Sequence, residues 1–295
     1  MLYDLSLKME YTYDTPASLA RHITRVMPLS GTKHQRLIAG SVNFDPRPDE
    51  EHGFVDFFGH PAISTLVAPP HESFTIMMKA RVAVEPPSPI VEYAPPRAVL
   101  REEYGRALSL SADSPHHFLS PSPRIPFDRQ IVAYGHQVLS ERDMTVFHIA
   151  REICSLIHRD FKYDPEATTV DSSPAEAFML KGGVCQDFSH VMICALRGLG
   201  IPAGYVSGYL RTIPPPGKPR LEGADAMHAW VRVWCGERLG WIEFDPTNDI
   251  TVSSDHIVVG YGRDYSDVAP VVGVLKTYGE HQATQAVDVV PVAAE

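Results

Sequence analysis

Cysteine is scarce in this chain: four among 295 residues, at positions 154, 185, 194 and 235, with no CxxC pair. Such spacing excludes a disulfide framework and fits a reducing compartment, so a cytoplasmic location is expected. Positive charge is also in short supply. The 26 Lys and Arg against 36 Asp and Glu leave a net charge of -10, which opposes binding to nucleic acid or to an anionic membrane. No apolar run approaches the roughly 20 residues of a membrane-spanning helix. The opening MLYDLSLKMEYTYD lacks the basic start and unbroken apolar stretch of a secretory signal. Internal repeats and low-complexity tracts are missing too. What is there is a globular composition, with material for one large domain or two ordinary ones.

The first third reads as β structure. Leu5, Leu7, Met9, Tyr11 and Tyr13 alternate with polar neighbours, as do Phe74, Ile76, Met78, Ala80, Val82 and Val84. This period-two pattern marks half-buried strands, and Asp45-Pro46 and Pro69-Pro70 supply turns between them. A β-sandwich over residues 1–110 is expected. Between Pro86 and Pro126 lie nine prolines, read as a linker or meandering surface segment that contains the domain boundary. Beyond it the pattern turns helical. Val146, Ile149, Ile153 and Ile157 keep helical spacing behind Thr145, and a short helix is expected from Pro174 to Lys181. Phe188, Val191, Met192, Ala195, Leu196 and Leu199 form one apolar stripe that ends at Gly200 and Pro202. Strands are expected at about 203–210, 227–234 and 241–245.

Cys185 stands at the start of the striped helix, directly after Gly182-Gly183-Val184. A thiol in a first helical turn faces unpaired N–H groups and the positive end of the helix dipole, both of which favour thiolate. The same N–H groups could receive an oxyanion. Taken alone, the residue could as well be a small buried hydrophobe. His228 and Asp245 add a partner for it. If the hairpin that connects them turns near Glu237, cross-strand residue numbers sum to about 473–475. Asp245 then lies opposite His228, or one diagonal step away on the same face, within about 4.5–8 Å at Cβ. A carboxylate there can hold one imidazole nitrogen while the other addresses the thiol.

Gly183-Val-Cys-Gln-Asp-Phe-Ser-His190, Ile201-Pro-Ala-Gly-Tyr-Val-Ser-Gly-Tyr209, Asp225-Ala-Met-His-Ala-Trp230 and Phe244-Asp-Pro-Thr-Asn248 resemble, in this order, the bacterial transglutaminase-like family. Gly262-Arg-Asp-Tyr-Ser-Asp-Val268 is similar to that family's C-terminal signature, and the N-terminal β region to the domain that precedes its core. The resemblance implies an α+β architecture in which the sandwich is followed, over residues 111–295, by a papain-like core. It implies catalytic roles for Cys185, His228 and Asp245. Animal cross-linking enzymes commonly carry Trp after the cysteine, where this chain has Gln186.

Gln186, Ser207 and Tyr209 are expected to line the substrate site, with Gln186 and Tyr163 also considered as oxyanion donors. His190 and Cys194 share a helix face, but no second ligand pair follows, so no metal and no cofactor are expected. Asp255, His256, Asp264 and Asp267 read as a solvated polar loop, while the resemblance implies that Gly262–Val268 forms a cleft wall. Trp230 and Trp241 read as packing residues. The expected activity is cysteine-dependent hydrolysis or acyl transfer on peptide or isopeptide amides of a peptide or protein substrate. The alternatives are a protein-glutamine transglutaminase and a non-catalytic peptide-binding module on the same fold.

Overall fold

The computed structural model describes residues 1–88, 91–139, 144–213, 223 and 225–292. Residues 89 and 90 of the proline-rich window lie outside them. The alternating runs of the first third become β1 (Leu2–Thr24), β2 (Gln35–Asp45), β3 (Glu50–Val55), β4 (Pro61–Val67) and β5 (His71–Val84). The first half of β1 pairs with β5, setting Leu5 opposite Ala80, Leu7 opposite Met78 and Met9 opposite Ile76. Both apolar faces are therefore buried together. Past an irregularity between Thr12 and Ala17, β1 changes partner to β4. His22 of this second half stacks on Phe74 of β5, ring centroids 4.5 Å apart, so the two halves of the strand order β2-β5-β1-β4-β3 close face to face as a sandwich.

The core unit follows with α1 (Arg97–Arg106), α2 (Arg129–His136), α3 (Val146–Asp160), β6 (Lys162–Tyr163), α4 (Pro174–Leu180), β7 (Gly182–Gly183) and α5 (Cys185–Gly198). After these come β8 (Ala203–Leu210), β9 (Ala226–Trp234), β10 (Trp241–Asp245), β11 (Ile250–Thr251), β12 (His256–Gly262) and α6 (Tyr265–Val268). α1 was not foreseen. It lies inside the proline-rich window and packs Leu100 into the core, so that segment is more than a linker. α3 begins at its Thr145 cap, and α4 carries a reciprocal Ser173–Glu176 capping box.

α5 differs from its sequence pattern in an instructive way. The apolar stripe is buried, but so are Gln186, Asp187, Ser189, His190 and Arg197 on its other faces. The helix is central: α2, α3 and α4 cover one side, β8 and β9 the other. The buried Arg197 is satisfied by the carbonyls of Ser120, Ala203 and Arg263 and by the Ser122 hydroxyl.

The core strands run in the order β11-β10-β9-β8-β12. The sheet curls until its distant strands touch. Tyr261 of β12 donates to Glu243 of β10 at 3.0 Å, and Trp230 of β9 donates to the same carboxylate at 2.6 Å. Side chains of β9 that alternate with the α5-facing set, namely His228, Trp230 and Arg232, therefore point into the concavity. The chain then returns to the sandwich through β13 (Val271–Lys276) and β14 (His281–Pro291), both paired with β1. A division at residue 110 therefore misplaces two segments: α1 belongs to the core, and residues 271–291 belong to the sandwich. Alternation cannot reveal which sheet a late strand joins, because both sheets bury the same kind of side chain.

Candidate active site

The start of α5 is built around one glycine. Gly183 adopts φ +139°, and a Cβ there would come within 2.4 Å of an Asp187 carboxylate oxygen. That oxygen turns back to accept the Val184 N–H at 2.8 Å and the Thr168 hydroxyl at 2.7 Å. Burial pushes the Asp187 pKa up, against the pull of these two hydrogen bonds. Cys185 is the first residue of the helix and is partly exposed, whereas Cys154, Cys194 and Cys235 are buried.

β9 and β10 form the expected hairpin. Trp241 pairs with Trp234 and Phe244 with Val231, so partner numbers sum to 475. Asp245 lies across from Trp230, with His228 one diagonal step away on the same face. His228 Nε2 donates to Asp245 Oδ2 at 2.8 Å, and the Cys185 side chain lies near enough to the ring to raise its pKa. With Nε2 committed to the carboxylate, Nδ1 is the nitrogen left for the thiol. Burial alone would lower the His228 pKa, but the hydrogen bond with Asp245 and then the nearby Cys185 raise it from 6.5 to about 10. Asp245 is wholly buried, which favours its neutral form. The bonds from His228, His256 and Asn248 outweigh this and hold the carboxyl far below its usual range.

His256 was missed by the sequence reading, which placed it in a solvated loop. It opens β12, is 3 % exposed, and donates from Nε2 to the same Asp245 Oδ2 at 3.0 Å. The signal was present: Ile257-Val258-Val259 is a short apolar run of the kind that marks a buried strand. Asp264 is also fully buried, capping α6 and accepting the Arg124 N–H. The polar-loop reading is therefore corrected for both residues. Asn248 completes the surroundings of Asp245. Its amide donates to Oδ2 at 2.6 Å, and the Thr247 and Asn248 N–H groups donate to Oδ1 at 2.9 and 3.2 Å.

Three expected substrate contacts are placed differently. Gln186 is buried and donates to the Val170 carbonyl at 3.0 Å, fastening the 164–172 segment beside the helix start. Ser207 is buried opposite Ala229, on the β8 face away from His228; Gly208 is the residue across from His228. Tyr209 is fully buried, donates to the Val26 carbonyl at 2.7 Å, and belongs to the core shared with the sandwich. Tyr163 is half exposed and close enough to Cys185 for a charge there to raise its pKa, although burial is the larger cause. Trp230 is a fully buried packing residue as expected, and Trp241 lies over the Arg232 guanidinium at 4.4 Å.

Ligand atoms of His228, Asp245 and His256 lie within 4.8 Å of one another. They are already spent on mutual hydrogen bonds inside the sheet, and a bound cation would have to break those bonds. None of the described helices is long and apolar enough to cross a membrane. Chemically, the arrangement offers a sulfur nucleophile, a base that can take and return its proton, and a carboxylate that fixes the base.

Residues 134–246 match the transglutaminase-like superfamily, and residues 3–83 match the bacterial transglutaminase-like N-terminal region. An uncharacterized protein of Mycobacterium tuberculosis is 35% identical across 98% of this chain and 92% of its own length. One from Mycobacterium leprae is 31% identical across 91% of each. Among solved structures, a candidate cysteine protease from Cytophaga hutchinsonii superposes with a TM-score of 0.76 at 21% identity, covering 100% of this chain and 92% of that one.

Proposed function

Because this chain belongs to the transglutaminase-like superfamily, we propose that it is a cysteine-dependent amide hydrolase in which Cys185 is the nucleophile, His228 the general base and acid, and Asp245 the residue that orients His228. One observation carries the reading: a buried imidazole is held to a carboxylate at 2.8 Å and lies near enough to a helix-start thiol for that thiol to raise its pKa. With the proton of the Cys185 thiol already resting on His228, the sulfur attacks the amide carbonyl carbon. N–H groups at the start of α5 favour the oxyanion that forms. The C–N bond breaks, the leaving nitrogen takes the proton from His228, and a thioester remains. Water then gives a proton to His228 and attacks the thioester. The C–S bond breaks and the sulfur leaves.

Hydrolysis rather than amine transfer is the outcome we assign. A transferase must keep water from its thioester while admitting an amine. Here Cys185 is partly exposed beside the half-exposed Tyr163, and polar Gln186 follows it. The test is a glutamine-containing peptide library incubated with millimolar primary amine and read by mass spectrometry. Cleaved or deamidated peptide should dominate and vanish in Cys185→Ala. An amine adduct outgrowing hydrolysis several-fold would make the protein a transglutaminase. Peptide retained without turnover would make it a binding module.

A further inference from the structure

Asp245 Oδ2 is an acceptor shared by two histidines, and only one of them faces the thiol. His228 Nε2 approaches at 2.8 Å from β9 and His256 Nε2 at 3.0 Å from β12. A carboxylate has no proton to give, so both rings must donate. This fixes the His256 tautomer with its proton on Nε2. Its Nδ1 is buried without a partner, so the ring is held by Asp245 and by edge contact with Trp230, centroids 5.1 Å apart.

We propose that His256 is a positioning residue that weakens the hold of Asp245 on His228, so that His228 can surrender its proton to the leaving nitrogen. The inference rests on the triad reading above. Its physical content is competition for one oxygen. Each donor to Oδ2 withdraws electron density from it and leaves less for the others. His256 is not needed to hold the carboxylate in place, because the Thr247 and Asn248 N–H groups on Oδ1 and the Asn248 amide on Oδ2 already do so. What it changes is the strength of the His228 bond. An imidazolium held too tightly is a poor acid, and an amide leaving group requires one. The sheet curl that brings β12 within reach of β10 makes the contact possible, and Gly208 leaves it room. A Cβ at Gly208 would lie 2.4 Å from the Trp230 ring, on the face that carries both histidines.

Among the described residues, several titratable and charged groups surround the pair: beyond Trp230, which contacts both rings, stand Glu243, Tyr261 and Arg232. Cys185 faces His228 from α5, and Asp245 faces both rings from β10. Cys154 of α3, beside the Arg151–Asp249 ion pair, lies near enough to Asp245 to sense its charge. None of these is altered by substitution at 256.

The experiment compares wild type, His256→Phe and His256→Gln. Phe keeps the ring and loses the donor, whereas Gln supplies an amide N–H near the position of Nε2. His228 is titrated by NMR of ring-labelled histidine, and Cys185 by its iodoacetamide alkylation rate against pH; neither readout needs a substrate. In His256→Phe the His228 midpoint should rise by about half a unit, the worth of one lost hydrogen bond, and the alkaline change in alkylation should move with it. Gln should restore wild-type behaviour. A midpoint that stays put or falls overturns the proposal, as does an equal shift in both variants. Failure of the functional reading would look different: no peptide turnover in any of the three proteins, with the His228 shift still scored on its own.

Discussion

At the scale of single residues, four cysteines share the chain and their surroundings separate them. Burial pushes the Cys154 thiol up to about 12 and the Cys194 thiol to about 11, with Cys235 higher still. Cys185 is partly exposed and lies near His228, whose pKa it raises. Brief iodoacetamide treatment near neutral pH should therefore mark Cys185 well ahead of the other three. Peptide mapping decides this, and preferential labelling elsewhere would count against the site. Cys185→Ala should lose all turnover with an unchanged circular dichroism spectrum, since the residue begins α5 and lies outside its apolar stripe.

His228 gives a pH signature with a definite sign. Burial would lower its pKa, but Asp245 and Cys185 win and raise it to about 10. A raised value means that the stabilisation is complete below about pH 6.5 and is lost as the pH climbs toward 10. Urea unfolding across that window should show stability falling by at most about 1.4 kcal/mol per pH unit from this group. In His228→Asn that component should be gone. Identical slopes in the two proteins would mean that the buried pair does not form.

At the scale of elements, the residues most legible in the sequence were those whose local pattern and tertiary environment agree. β8 and β10 fall at the expected residues, and β9 starts one residue early at Ala226. The hairpin sum of 475 was within the expected range because turn geometry sets register locally. His256 and Asp264 were hidden for the opposite reason. Polar residues beside Ser253, Ser254 and Asp255 look solvated until the sheet curls over them. Tyr209 failed as a substrate contact because alternation gives a face but not what covers it. Gly183 is the element-scale test. Gly183→Ala must relieve both φ +139° and a 2.4 Å clash with Asp187, and so sacrifices the cap of α5. We expect a loss of about 2 kcal/mol, from strain and a lost cap together. Turnover should fall more than stability alone explains, because the thiol is displaced. Full activity in this variant would detach the cap from the site.

At the scale of the whole molecule, the sandwich and the core share one buried seam. Their apolar contacts are continuous: Tyr209, Ile257 and Val259 of the core sheet share a cluster with Leu5, Phe74 and Met78 of the sandwich. Polar links reinforce the seam. Gln35 donates to the Leu29 and Val258 carbonyls, each at 2.8 Å, and accepts the Val258 N–H at 2.8 Å, while Tyr3 donates to Asp255 at 2.8 Å. β14 runs the length of the β1 edge from Tyr13 to Tyr3 and buries Val287 and Val289 against it. Asp225, at the entry to β9, accepts the Val289 N–H at 2.7 Å, so the last strand also touches the segment that presents His228. Deleting residues 271–295 would strip one edge of β1 and expose apolar surface worth at least about 3 kcal/mol from the two valines alone. The expected result is a truncated protein that melts far below the intact one, or fails to stay soluble, with Cys185 losing its preferential alkylation as the core loosens. The intact chain should show one cooperative transition by circular dichroism and by tryptophan fluorescence, with coincident midpoints. Two separated transitions, or a truncated protein whose core melts unchanged, would show that the sandwich is an appendage and that the active site stands without it.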